Sequence, residues 1–216
     1  MAVLPAATKH QGKLLVIACG ALAQEMVWLQ KSNLETNSLW QHMELQCLDA
    51  ELHNRPKSIA AKLRDKIEQN RHRFDNIFIG YADCGTGGEI DRLLEEEGMQ
   101  GVERLPGAHC YAFYAGQQRF AELAERELGT FYLTDFLVEH FERLVIKGLK
   151  LDRYPELREQ FFAHYKKLVY LSQRQDQHLQ RAARDAADFL NLDFVHHHCG
   201  YGELGTALET QILKLK

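Results

Sequence analysis

The chain has 216 residues, 45% hydrophobic and 26% charged, with a formal net charge of −4. That is enough apolar material for a sizeable core that needs no disulfide or metal to hold it. The absence of any Lys/Arg tract argues against nucleic acid as the main partner, and no stretch approaches the roughly 20 apolar residues of a membrane span.

Short apolar strands alternate with longer amphipathic helices. KLLVIAC (13–19) precedes a helix-like ALAQEMVWLQK (21–31), and MELQCLD (43–49) precedes KSIAAKLRDKIEQN (57–70). NIFIGY (76–81) leads into EIDRLLEEE (89–97), and a short GVERLP (101–106) into the apolar, small HCYAFYAG (109–116). FAELAEREL (120–128) reads as a helix, and GTFYLTD (129–135) runs into a helix over FLVEHFERLVIKGL (136–149). ELREQFFAHYK (156–166), the strand KLVYLSQ (167–173), QHLQRAARDAADFL (177–190), the strand LDFVHHH (192–198) and ELGTALETQIL (203–213) complete the series. Repeated strand-then-helix units predict an α/β fold, a mostly parallel sheet with helices on both faces, Rossmann-like and three-layered. With no Pro-, Gly- or Ser-rich linker, residues 1–216 read as one domain, with 98–130 as a lid or subdomain.

Ligands of open α/β sheets bind beyond the carboxyl ends of the strands. Those ends carry Cys19-Gly20, then Asp49 with His53 beyond it, Asp83-Cys84-Gly85, His109-Cys110 and Thr134-Asp135, with His140 a turn further on. They also carry Gln173-Arg174 with Asp176 next, and His196-His197-His198-Cys199-Gly200. Four of the five cysteines therefore gather at one edge, while Cys47 reads as a small buried hydrophobe inside a strand. An odd, widely spaced set with no CxxC points to a reducing cytoplasm rather than a secreted disulfide framework. Val16-Ile17-Ala18-Cys19 has the look of a lipoprotein box, but its apolar run is shorter than a signal region of about 7–15 residues and reads as a strand.

Thiolates and imidazoles suit zinc or an iron–sulfur cluster, and Cys19, Cys84 and Cys110 are the expected ligands, with His109 a fourth ligand or a base. The rival is a bare thiolate nucleophile, because Cys19 and Cys84 both precede helices. Inert buried cysteines are the third reading. Gly20, Gly85 and Gly87 offer close backbone approach to a cofactor, although CGTGG matches neither GxGxxG nor GxxxxGK[ST]. Asp135 is expected as a helix N-cap, and Arg174 either orients an anionic substrate or pairs with a helix acid. His109, Asp135, His140 and Arg174 are the candidate catalytic groups. Alternation puts His196 and His198 on one strand face and His197 with Cys199 on the other, a spacing compatible with a metal. The run Glu95-Glu96-Glu97 reads as a solvated helix end.

IACGALAQE, GYADCGTGG, PGAHCYAFYAG and GTFYLTDFLVEH, in that order, resemble the family called domain of unknown function 1638 over most of the chain. The His109-Cys110 step lacks an acidic residue between its members, and Asp135 stands where the family pattern has Pro-Gly-Trp, so the resemblance leaves the exact ligand set open. The resemblance implies a setting beside corrinoid-dependent methyltransferase systems for methylated amines and betaines. It implies as partner a small-molecule substrate, or a methyltransferase or corrinoid protein. The chain itself lacks the DxHxxG signature of a corrinoid carrier: Asp49 and His53 are four apart with no matching glycine. On this reading a zinc-bound thiolate activates a thiol for methyl transfer. The alternatives are a metal-independent cysteine enzyme and a non-catalytic assembly module.

Overall fold

The structure is a computed structural model and describes residues 12–96, 98–126 and 128–215; Glu97, the end of the acidic run, lies outside them. The chain begins with β1 (Leu14–Cys19), α1 (Ala23–Leu34), β2 (Met43–Leu48), α2 (Ile59–Asn70), β3 (Asn76–Gly80), α3 (Glu89–Glu95) and a two-residue β4 (Glu103–Arg104). The helices α4 (Ala112–Ala115) and α5 (Gln117–Arg126) follow. Then come β5 (Thr130–Thr134), α6 (Asp135–Glu139), α7 (Leu157–Phe162), β6 (Lys167–Ser172), α8 (Gln177–Leu190), β7 (Asp193–His198) and α9 (Leu204–Leu213).

The fold is α/β and every strand pair is parallel, but the strands form two sheets rather than the single one expected: β2-β1-β3-β4 and β5-β6-β7. The break has a local cause. β4 pairs through only Phe78↔Glu103 and Ile79↔Arg104, and Pro106 soon after it has no N–H with which to extend a ladder. β5 pairs with β6 instead, from Thr130↔Lys167 to Thr134↔Leu171. All six residues of β1 are fully buried, so both faces of the first sheet are covered, as a parallel sheet requires. Leu14, Leu15, Val16 and Ile17 each contribute roughly 1.5–3 kcal/mol by that burial. Leu204, Leu208 and Ile212 of α9 belong to the same core, so the chain returns to the first sheet after building the second. Phe136 and Leu144 pack into the first core while Val138 and Val145 pack into the second. The segment after β5 therefore ties the two together.

Two local expectations change. The helix expected over 136–149 stops at Glu139, and Glu142–Lys147 winds as a π-helix, a form frequent at functional sites. Cys47 is exposed rather than buried, because β2 is an edge strand paired only with β1.

Candidate functional site

Three of the cysteines singled out by the sequence meet. Cys19 ends β1 and caps the following 3-10 turn, its sulfur accepting from the Ala21 N–H at 3.4 Å. Cys84 follows β3 in a loop where Cys84 N–H donates to the Ala108 carbonyl at 2.9 Å and Asp83 N–H to the Gly107 carbonyl at 3.0 Å. Those two bonds zip the Cys84 loop to the segment carrying Cys110. Cys84 Sγ and Cys110 Sγ lie 2.9 Å apart, and the Ala82 N–H donates to the Cys110 sulfur at 3.4 Å.

The imidazole in this group is His53, not His109. Its Nδ1 lies 3.5 Å from Cys19 Sγ and 3.2 Å from the Ala50 carbonyl oxygen. The Ala50 carbonyl can only accept, so Nδ1 carries a proton. His109 is exposed and stacked on Tyr111 with ring centroids 5.0 Å apart. Sequence reasoning placed His53 at a strand end but passed over it. Its only signal was that position, five residues past the last residue of β2.

The electrostatics follow from the contacts. The Cys84 thiol pKa falls to about 5, through the hydrogen bond from Cys110 first and then, against burial, through the bond and charge of His53. Cys110 moves the opposite way, well above an ordinary thiol, because it keeps the proton it shares with Cys84 and is buried. Burial alone would lower the His53 pKa, but hydrogen bonds to Cys19 and Cys84 raise it to about 11. Tyr81 is packed beside the same sulfurs, its phenol pKa raised by burial and then by Cys19. The contacts thus favour a thiolate on Cys84 and an imidazolium on His53, with the proton kept on Cys110.

Cys84 also sits in the left-handed region, with φ 51°. That conformation disfavours a residue with a Cβ and is found where function over-determines the backbone. The glycines after it serve the same turn: Gly85 and Gly87 have φ of 80° and 67°. The amides of Gly87 and Gly88 are already taken. Asp83 accepts from Gly88 N–H at 2.7 Å, Gly87 N–H at 3.2 Å and Thr86 Oγ1 at 2.7 Å. The loop is folded around a carboxylate and does not offer those N–H groups to a phosphate. Gly20 is packed against β2, where a Cβ would come within 3.1 Å of the Leu48 carbonyl oxygen.

A cavity of about 310 Å³ opens between the two sheets beside the cluster. Cys19, His53 and Cys110 form one end, Tyr111, Tyr114 and Tyr132 part of the wall, and Leu144 and Val145 of the π-helix another part.

The other candidates assemble elsewhere. Asp135 is not the N-cap; Thr134 is, accepting from Leu137 N–H at 3.4 Å. Asp135 is instead a buried acceptor for Tyr170 Oη at 2.7 Å and for Gln173 N–H, Arg174 N–H and Arg174 Nε–H, each at 3.0 Å. Arg174 completes the network by donating to Glu139 at 2.5 Å, so it pairs with helix acids. His140 packs edge-on against Phe136. His196 and His198 do share a face: Nε2 of one and Nδ1 of the other lie 2.9 and 3.0 Å from Ser172 Oγ. Cys199 donates weakly to the His197 carbonyl and joins no other cysteine. Glu96, from the acidic run, forms a two-pronged ion pair with Arg64.

Among the described residues, no group of three or more His, Cys, Asp or Glu side chains is placed to hold a metal ion, and no helix is long and apolar enough to cross a membrane. The family described as "Protein of unknown function (DUF1638)" matches residues 47–208. No curated protein and no solved structure matches the chain.

Proposed function

The chain belongs to the DUF1638 family, a family of unknown function, and we propose an activity from its own geometry: a dithiol redox centre, with Cys84 the attacking thiolate, Cys110 the second thiol and His53 the paired cation. One observation carries the reading, the meeting of Cys84 and Cys110 at 2.9 Å beside an imidazole. A thiolate with a lowered pKa is the nucleophile of thiol–disulfide exchange. Cys84 Sγ attacks one sulfur of a small disulfide R–S–S–R′. The Cys84–S–R bond forms, the S–S bond breaks, and R′–S⁻ leaves with the Cys110 proton. Cys110 Sγ then attacks Cys84 Sγ and expels R–S⁻, which takes a proton from water. The two thiols have given up two electrons as one disulfide, and a low-molecular-weight dithiol restores them. The site would work in a reducing cytoplasm, where such a dithiol is supplied.

Treatment with one equivalent of a small disulfide, alkylation of the remaining thiols and peptide mapping tests this. Wild type should yield a Cys84–Cys110 cross-link, and Cys110→Ser should stop at a mixed disulfide on Cys84. Recovery of both cysteines alkylated in wild type would overturn the proposal.

The second reading is a zinc or iron–sulfur centre at Cys19, Cys84, Cys110 and His53, serving methyl-group metabolism beside a corrinoid methyltransferase. Its support is the donor set, three thiols and an imidazole from far-apart segments, and the family resemblance. The geometry fits it less well. Two thiolates on a tetrahedral zinc, at Zn–S of about 2.3 Å, sit roughly 3.7 Å apart, so the 2.9 Å pair would have to spread. Near-stoichiometric zinc, or iron with acid-labile sulfide, lost in Cys84→Ser, would favour this reading.

A further inference from the structure

We infer that the reaction partner of the thiol pair is an uncharged, largely apolar small molecule admitted through the cavity between the sheets, which Cys110 lines with Cys84 Sγ 2.9 Å from its sulfur. This rests on the dithiol reading and names the class of disulfide it would take. Among the described residues the lining includes no Asp, Glu, Lys or Arg. Its one cationic group, His53, is already committed to the Cys19 sulfur and the Ala50 carbonyl. A charged ligand would therefore lose its hydration with no free counter-charge, a penalty of several kcal/mol.

The volume of about 310 Å³ is that of roughly ten waters, enough for a substituted ring and too small for a folded peptide. Tyr111 and Tyr132, stacked on each other at 5.4 Å and 23°, line the space together with Leu137, Leu144 and Leu149. Aromatic walls of this kind take planar apolar groups.

Three disulfides of different charge separate the possibilities: 2,2′-dithiodipyridine, uncharged at neutral pH; 5,5′-dithiobis(2-nitrobenzoate), a dianion; and cystamine, a dication. Their rates of Cys84–Cys110 cross-linking, mapped by peptide, with a Cys47→Ser/Cys199→Ser protein, which removes the two thiols outside the cluster, are divided by their rates with glutathione. The normalised rate for the uncharged reagent should exceed the other two by about tenfold or more. Tyr165 lies at the cavity rim, 38% exposed, and Tyr165→Asp, shown to be folded by its melting curve, should lose that preference. Equal normalised rates, or a Tyr165→Asp protein with the full preference, would overturn the inference and leave the dithiol centre standing. Failure of every reagent to oxidise Cys84 and Cys110 would overturn both.

Discussion

Cys84 holds a left-handed backbone conformation that costs on the order of 1–3 kcal/mol for a residue with a Cβ, and it does so between a protonated thiol and an imidazolium. Its acidity is the sum of those two neighbours, so each can be removed separately. Cys110→Ser and His53→Ala should each raise the Cys84 pKa by about one unit or more, read as the pH midpoint of its alkylation. The three clustered cysteines were legible in the sequence because each follows a strand, where a parallel sheet presents its ligand-facing edge. The imidazole was not. His109 adjoins Cys110 in sequence, but with Cys110 turned into the core its neighbour faces solvent, whereas His53 reaches the sulfurs from a turn whose path no local spacing records.

Among the elements, the turn from β5 into α6 is held by Asp135, which joins it to the residues that follow β6 through four donors. Asp135→Asn keeps the shape but points an amide at some of those donors. The expected loss is about 2–3 kcal/mol, seen as a lower denaturation midpoint without a change in the reactivity of Cys84. The alternation of residues announced this strand and its helix, but not the role of the aspartate, since Asp at a helix start is also a favoured cap. Nor did it announce the π-helix, because 136–149 carries an apolar spacing compatible with one continuous α-helix. The same holds for Cys47: an edge strand and a central one share a pattern, and only pairing separates them.

At the scale of the molecule, alternating strands and helices read alike whether they build one sheet or two. The division depends on the shortness of β4 and on the return of α9, both tertiary facts. Glu25, buried on α1, lies within the fields of Asp135 and Glu139 on α6 and of Arg174 beyond β6. Burial first, and then Asp135, raise its pKa from 4.5 to about 7, against a backbone hydrogen bond and Arg174. The folded chain therefore keeps a proton that the unfolded chain releases. The stability this confers is full below about pH 4.5 and is lost as the pH rises through 7. Glu25→Gln should leave stability unchanged at pH 4 and raise it at pH 8, by on the order of 2–3 kcal/mol. The return to the first sheet is equally specific. Gly202 has φ 50°, and a Cβ there would fall 2.0 Å from the Phe113 carbonyl oxygen. Gly202→Ala should therefore weaken the docking of α9 and lower the melting temperature.

The central claim is that Cys84 is a thiolate at neutral pH, held by Cys110 and His53. The direct measurement is the rate of iodoacetamide alkylation at Cys84 against pH, followed peptide by peptide in the intact protein. A midpoint near 5, with Cys110 unreacted until far higher pH, is the predicted result. A Cys84 midpoint in the ordinary thiol range of about 8–9, shared with Cys110, would contradict it.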